Sequence, residues 1–325
     1  MPMKRGAVVA VGAVAALALA VGAGISWISG KGVGPLLPPP EQCQASVNGN
    51  TVVLDLEQAQ SAAIIAGVAV RRGLPARAVT IALATAYQES DLRNVNHGDR
   101  DSLGLFQQRP SQGWGTAAQI RDPHYAARKF YDALVKVKNY QRLAVTVAAD
   151  KVQHSAFPNA YADHEGDARV LASALTGQSK GALSCTVNTA SLQAEAIGKN
   201  GLTPRAEAVR LDLVKTFGRL STGGYAPGGV STGHMEGSAH YDGRAVDIFV
   251  KPISTANTVK GWALAQYLVA RAEQLKISTV IFSDHIWTAG SRSDNGWRAY
   301  KPPQSSGNQA TLRHLDHVHV DVIKS

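Results

Sequence analysis

Two short runs of this chain concentrate residues that can bind a metal ion. Ser238–Asp247 reads S-A-H-Y-D-G-R-A-V-D, and Asp316–His319 reads D-H-V-H. Imidazole and carboxylate donors, three from protein with one position left open for water, are the ligand chemistry of a catalytic zinc site. Side chains alternate between the two faces of a strand. In H-V-H-V-D-V, His317, His319 and Asp321 therefore share one face, and Val318, Val320 and Val322 the other. In A-V-D-I-F-V, Asp247 faces away from Val246, Ile248 and Val250. His240 precedes that strand in a loop, where Gly243 gives the backbone freedom to turn back. If the two strands pair, His240, Asp247 and His319 converge. Asp316 falls on the valine face of a straight strand, so any role at the site requires a bend or bulge just before His317.

A second chemical candidate is Glu89, which follows the apolar helical run Ala76–Gln88. A carboxyl at the end of a buried helix suits general-acid work on a glycosidic oxygen. Most glycosidases use two carboxylates, and Asp91, Asp99 and Asp101 are the nearby candidates for a second. Trp114, in the loop P-S-Q-G-W-G, has two readings, a sugar-stacking platform or a packed core residue.

The elements that must position these residues change character along the chain. Helical periodicity recurs at Ala59–Arg71, Ala76–Gln88, Ala126–Val137, Val145–Gln153 and Ala168–Leu175, and strand-like alternation is scarce there. Beyond a polar stretch, helices are expected at Arg205–Phe217 and Val259–Leu275. Strands are expected at Ala245–Val250, Ser278–Phe282 and His317–Ile323. The sequence therefore divides into a membrane anchor or signal segment (1–29), a Pro/Gly linker (30–42), a mainly-α domain (43–185), a second linker (186–203) and an α+β domain (204–325).

Lys4 and Arg5 precede Gly6–Ser29, which carries no charge. This run reads as an uncleaved anchor or as a cleaved secretory signal. Its length and Trp27 at its outer edge favour the anchor, and either reading exports the rest of the chain. In that setting the two cysteines, Cys43 and Cys185, at the two ends of the first domain, are expected to pair. Two free thiols are the alternative. The net charge of +9 is spread along the chain without an arginine-rich block, which argues against nucleic acid as a partner. A diffuse excess fits an anionic wall polymer or simple solubility.

Two resemblances give these residues roles. The pair Glu89–Ser90, with Asn94 and the run S-L-G-L-F-Q-Q at Ser102–Gln108, resembles the soluble lytic transglycosylase and goose-type lysozyme superfamily. The run His97–Gly115 is also similar to lysozyme-like domains of exported actinobacterial proteins. The resemblance implies that Glu89 is the catalytic acid/base and that Ser90, Gln107 and Tyr161 support it or bind saccharide. It also implies that one glutamate suffices, because the N-acetyl group and 6-hydroxyl of the substrate close a 1,6-anhydro ring. The pattern S-x-H-x-x-G-x-A-x-D followed by D-x-x-H resembles the zinc D-Ala-D-Ala carboxypeptidase and L-alanoyl-D-glutamate peptidase family. It implies His240, Asp247 and His319 as Zn2+ ligands, Ser238 as a local hydrogen-bonding residue and Asp316 as the acidic residue acting on bound water. His317 is an alternative bearer of that acid/base role. That family usually carries an arginine in a G-Y-R element, where this chain has Ala226, and Arg219 and Arg244 are the candidate substitutes.

Together the resemblances imply a mainly-α lysozyme-like domain followed by an α+β zinc-peptidase-like domain with a small antiparallel sheet. The implied function is bifunctional remodelling of peptidoglycan, the expected partner. The alternatives are one active domain beside a retired wall-binding module, or a non-enzymatic wall scaffold.

Overall fold

The computed structural model describes residues 40–324 apart from Ala156, Pro158 and Ser305. The anchor-or-signal segment at 6–29 lies outside the described residues. Among the described residues no helix is long and apolar enough to cross a membrane.

Glu41–Ser325 forms one compact unit. Its first half runs β1 (Gln42–Val47), β2 (Asn50–Leu54), α1 (Leu56–Arg71), α2 (Ala76–Ser90), α3 (Ala117–Ile120), α4 (Pro123–Leu134), α5 (Val145–Gln153), α6 (Glu165–Leu175) and β3 (Leu183–Thr186). The second half runs α7 (Pro204–Phe217), β4 (Thr222–Gly223), β5 (Ala245–Phe249), α8 (Thr255–Ala270), α9 (Ala272–Leu275), β6 (Ile277–Phe282), β7 (His285–Thr288), β8 (Arg298–Ala299), α10 (Gln309–Leu312) and β9 (His317–Val322). Side-chain caps set several helix starts. Asp55 and Gln58 form a reciprocal capping box at α1, and Asp122, Thr203 and Ser254 cap α4, α7 and α8.

The described residues form an α+β fold with two antiparallel sheets. The first half is less purely helical than its periodicity suggests, because β1, β2 and β3 form a sheet of order β2-β1-β3. The signal for β1 and β2 was the pair Asn48–Gly49. Both residues have positive φ, the backbone of a two-residue hairpin turn, and the strands it joins are too short for alternation to stand out. β3 pairs with β1 in a register that sets Cys43 opposite Cys185, and the two are joined by a disulfide. A disulfide of this kind belongs to a chain matured in an oxidising, extracytoplasmic compartment.

The second sheet has the order β4-β5-β9-β6-β7-β8. Within it β9 lies between β5 and β6, and the β5/β9 pair sets Asp247 opposite His319 and Phe249 opposite His317. The valines of β9 are buried on the far face, as alternation requires.

The two halves share a continuous core. Helix α8 lies between them and is buried along most of its length. Its Gln266 is fully buried, yet its amide is satisfied from the first half. The carbonyl oxygen accepts from the Leu183 N–H at 2.7 Å, and the amide nitrogen donates to the carbonyls of Ala174 at 2.7 Å and Ser179 at 3.1 Å. The indoles of Trp287 and Trp297 donate to the carbonyls of Cys185 and Leu183. A second polar relay crosses between α4, α7 and α8. His124 Nε2 meets Thr216 Oγ1 at 2.8 Å, Thr216 Oγ1 meets the Tyr267 hydroxyl at 2.8 Å, and Tyr267 donates to Asp212 at 2.6 Å. Asp212 also holds Arg271 at 2.8 Å. The segment between Thr186 and Thr203 is irregular, but it is tied down. The Asn188 N–H donates to Glu41, and the Arg205 N–H donates to Glu195.

Two stability measurements follow from this arrangement. The cysteines are 142 residues apart, so replacing both by serine should lower unfolding stability by about 5 kcal/mol in the chain-entropy account. An unchanged denaturation midpoint under non-reducing conditions would refute that role. Burial and the nearby Lys215 hold His124 down at about 4, so the folded protein keeps it neutral. As pH falls from about 6.5 towards 4, the unfolded chain takes up a proton that the folded one refuses, and stability is lost. The loss amounts to about 3 kcal/mol from this group. Melting curves across that interval should show it for the native protein and a flatter profile for His124→Gln.

Candidate functional site

Helix α2 ends at the E-S pair, and the structure gathers several of the first-half candidates around it. Tyr161 is fully buried and donates its hydroxyl to Glu89 Oε1 at 2.7 Å. Burial and the adjacent Glu89 raise the Tyr161 phenol, so it remains a donor. Ser90 Oγ donates to the Leu105 carbonyl at 2.9 Å, which pins the G-L-F-Q turn to the end of the helix. Gln107, in that turn, donates to the carbonyls of His97 and Gly104. Phe106 is buried and stacks on Phe130 with ring centroids 4.6 Å apart. Trp114 packs against the core, and its carbonyl accepts from the Tyr125 hydroxyl.

The three aspartates weighed as second carboxylates have other partners. Asp101 is locked by Arg109 at 2.6 Å and by the backbone and hydroxyl of Ser111. Asp91 pairs with Arg93 and Asp99 with Arg100. Among the described residues, Tyr161 is the one side chain hydrogen-bonded to Glu89.

In the second half, His240 Nε2, Asp247 Oδ1 and His319 Nδ1 form a small triangle. Its sides are 3.1 Å (His240–His319), 3.1 Å (His319–Asp247) and 3.3 Å (His240–Asp247). All three residues are buried. Asp247 and His319 meet because they are direct partners across β5 and β9. His240 is delivered by the turn that follows Ser238, closed by the Gly243 N–H on its carbonyl.

The outward atoms of both imidazoles are held. His240 Nδ1 lies 2.7 Å from the Gly224 carbonyl, and His319 Nε2 lies 3.3 Å from Asp321 Oδ2. An N–H directed at each acceptor leaves a lone pair on the inward nitrogen, the usual way a second set of contacts orients metal-binding histidines. Gly224 has φ +80, and a Cβ there would stand 2.2 Å from His240 Cε1, so only glycine allows this approach.

The donor set fits a cation. With ligand bonds of about 2.0–2.1 Å, the donors of a tetrahedral ion lie about 3.3–3.4 Å apart. Electrostatics agrees. Burial opposes charge on Asp247, but His240 and His319 outweigh it and hold the carboxyl far below the ordinary carboxylate range. Burial likewise opposes charge on His319, yet Asp247 and Asp321 raise it to about 9. The site demands positive charge at its centre, as a proton or as a metal ion that displaces it.

A ring of further groups surrounds the triangle. His317 Nε2 is 3.7 Å from Asp247 Oδ1, and its Nδ1 is 2.7 Å from Asp316 Oδ1. Asp316 Oδ2 is taken by Lys251 at 3.1 Å and Thr311 at 3.1 Å. The bend required for Asp316 is present, because the backbone bends at Leu315 and Asp316, just before β9 begins at His317. Arg244 is held by Asp242 and the Val322 carbonyl.

Residues 198–312 match the family model described as VldE, C-terminal domain. The match spans less than half of the chain and includes His234, His240 and Asp247, and it ends before His317 and His319. No curated protein matches the chain.

The sequence assigns no role to four contributors. His234 stacks on His240 with centroids 3.9 Å apart, and it forms a possible metal-holding group with His240 and Asp247, whose donor atoms all lie within 4.8 Å of one another. His314 packs 4.6 Å from the His317 ring, and burial with the neighbouring His317 and His319 lowers it to about 3. Asp321 and the Gly224 carbonyl orient the two imidazoles. Only Asp321 had a readable signal, its place two residues beyond His319 on the same strand face.

Elemental analysis of protein prepared without chelator should find about one metal ion per chain, lost in His319→Ala. Asp321→Ala should weaken metal affinity by about 10–100-fold. Metal-free native protein would remove the basis for this centre.

Proposed function

We propose that the chain is an exported peptidoglycan-remodelling hydrolase with two active centres. Glu89 cleaves glycan strands by acid/base catalysis in a lysozyme-like half. A zinc site of His240, Asp247 and His319 cleaves stem peptides in a peptidase-like half. The observation that carries the reading is the 3.1–3.3 Å donor triangle with both imidazoles oriented from behind. The disulfide supports an extracytoplasmic place of work. An N-terminal anchor would hold the protein at the cell membrane, facing the wall.

At the first centre, the Tyr161 hydroxyl fixes Glu89 Oε1, so proton transfer to the glycosidic oxygen falls to Oε2. Ser90 holds the G-L-F-Q turn in place, with Gln107 and Trp114 as the saccharide-contacting candidates. The engagement of Asp101 by Arg109 and Ser111 favours chemistry with a single carboxyl, in which the substrate closes its own anhydro ring.

At the second centre, a bound Zn2+ would supply Lewis acidity and a water deprotonated near neutral pH. His317 is then the acid/base candidate, because its Nε2 faces the donor triangle while Asp316 holds Nδ1. Asp316 acts through His317 and fixes its tautomer. The retired-module alternative also has an observation in its favour. Ala226 stands where the family places an arginine, and Arg244 is engaged by Asp242 and Val322. In that reading the zinc half binds stem peptide without cutting it.

Mass analysis of products from purified peptidoglycan separates these readings. Anhydro-muropeptides that disappear with Glu89→Gln are expected from the first centre. Free D-alanine or new stem-peptide ends that disappear with His240→Ala are expected from the second. Products of the first kind alone leave the zinc half as a binding module, and no product of either kind defeats the enzymatic reading.

A further inference from the structure

Away from both centres, a pocket of about 350 Å³ opens between α1, α4 and α7. Its lining includes Arg71, Arg72, Arg128, Lys129 and Lys215, against the carboxylate of Asp132. The pairing of these cations is uneven. Arg72 is matched by Asp132 at 2.8 Å, and Lys215 by Asp122 at 3.3 Å. Arg71 donates to the Lys215 carbonyl, a neutral acceptor. Arg128 and Lys129 lie over the Tyr125 ring, 5.8 and 5.7 Å from its centroid. Among the described residues, Arg71, Arg128 and Lys129 have no carboxylate within ion-pair distance.

The bland explanation is solubility charge. It accounts for cations that spread apart in water, and less well for three uncompensated cations around one concavity, where each raises the cost of its neighbours. Arg71 stands at the last turn of α1, where the negative end of the helix dipole offsets part of its charge. Arg128 and Lys129 sit mid-helix in α4 and have no such offset. Guanidinium groups around a cavity of this size match the oxygens of one phosphate group, and Tyr125 supplies an apolar wall for the carbon to which it is esterified. Tyr125 also donates to the Trp114 carbonyl at 3.1 Å. A ligand in the pocket would therefore press on the loop that carries a candidate sugar-contacting residue.

We propose that this pocket binds a phosphate ester of the glycerol-phosphate or sugar-phosphate kind, through Arg128, Lys129 and Arg71. The assignment does not depend on either proposed activity. Calorimetric titration of the full chain should show saturable binding of glycerol 3-phosphate that sulfate at matched ionic strength does not reproduce. Arg128→Gln with Lys129→Gln should weaken it about tenfold or more. The charge-conserving pair Arg128→Lys with Lys129→Arg should retain it. Both side chains reach the pocket from the exposed face of α4, and a melting curve for each variant checks that the fold is intact. Vesicles of phosphatidylglycerol in phosphatidylcholine present the same ester at a surface. Binding of either probe that depends on Arg128 and Lys129 supports the site and identifies its source. Binding of neither, binding that sulfate reproduces, or binding that the glutamine variants leave unchanged overturns it.

Discussion

Three atoms that can each turn a lone pair to a common centre, 3.1–3.3 Å apart and shielded from water, repel one another unless a proton or a metal ion lies between them. Much of the second half can be understood as the framework that imposes this arrangement. The antiparallel register of β5 and β9 fixes two of the three atoms without help from any loop, since Asp247 and His319 are opposite partners on one face. The third arrives on a turn and is therefore held twice, by the Gly224 carbonyl at its back and by the stacked ring of His234. Asp321 and Asp316 continue the same design outward, each carboxylate fixing one imidazole.

The framework is itself anchored in the first half. Helix α8 covers the sheet on one side and supplies Gln266 to the first half on the other. A buried amide is tolerable only when its donors and acceptor are all met, and here the partners come from α6, from the turn after it and from β3. Two tryptophans of the second half donate to carbonyls of the same strand. β3 therefore belongs to the first sheet by its hydrogen-bonding edge and disulfide, and to the second half by its remaining carbonyls.

The sequence was most informative where a period governs the structure. Alternation in H-V-H-V-D-V put His317, His319 and Asp321 on one side of β9, and the same alternation isolated Asp247 on β5. The helices of both halves were legible for the same reason, with boundaries displaced by a few residues at capped ends such as Asp55. Contacts made by loops left no such trace. The stacking of His234 and His314, the Gly224 carbonyl and the lock on Asp101 depend on how chain segments approach one another in space. Ala226 is the position where the resemblance expects an arginine, yet Gly224, two residues earlier, is the member that touches His240. The hydrogen bond between Tyr161 and Glu89 left no trace either, because the two residues lie on elements far apart in the chain; resemblance implied only that Tyr161 belongs to the same groove.

The two carbonyls and one N–H of the first half that meet Gln266 carry a consequence for how such a chain can change over generations. A half that ends in open, self-sufficient surface can be exchanged, duplicated or discarded as a module. Here the first half on its own would expose a row of backbone groups, and the second the indoles and the buried amide that meet them. Neither candidate site is free to drift away from its neighbour, and a transplant of the second half into another protein would have to carry α1, α6 and β3 along with it.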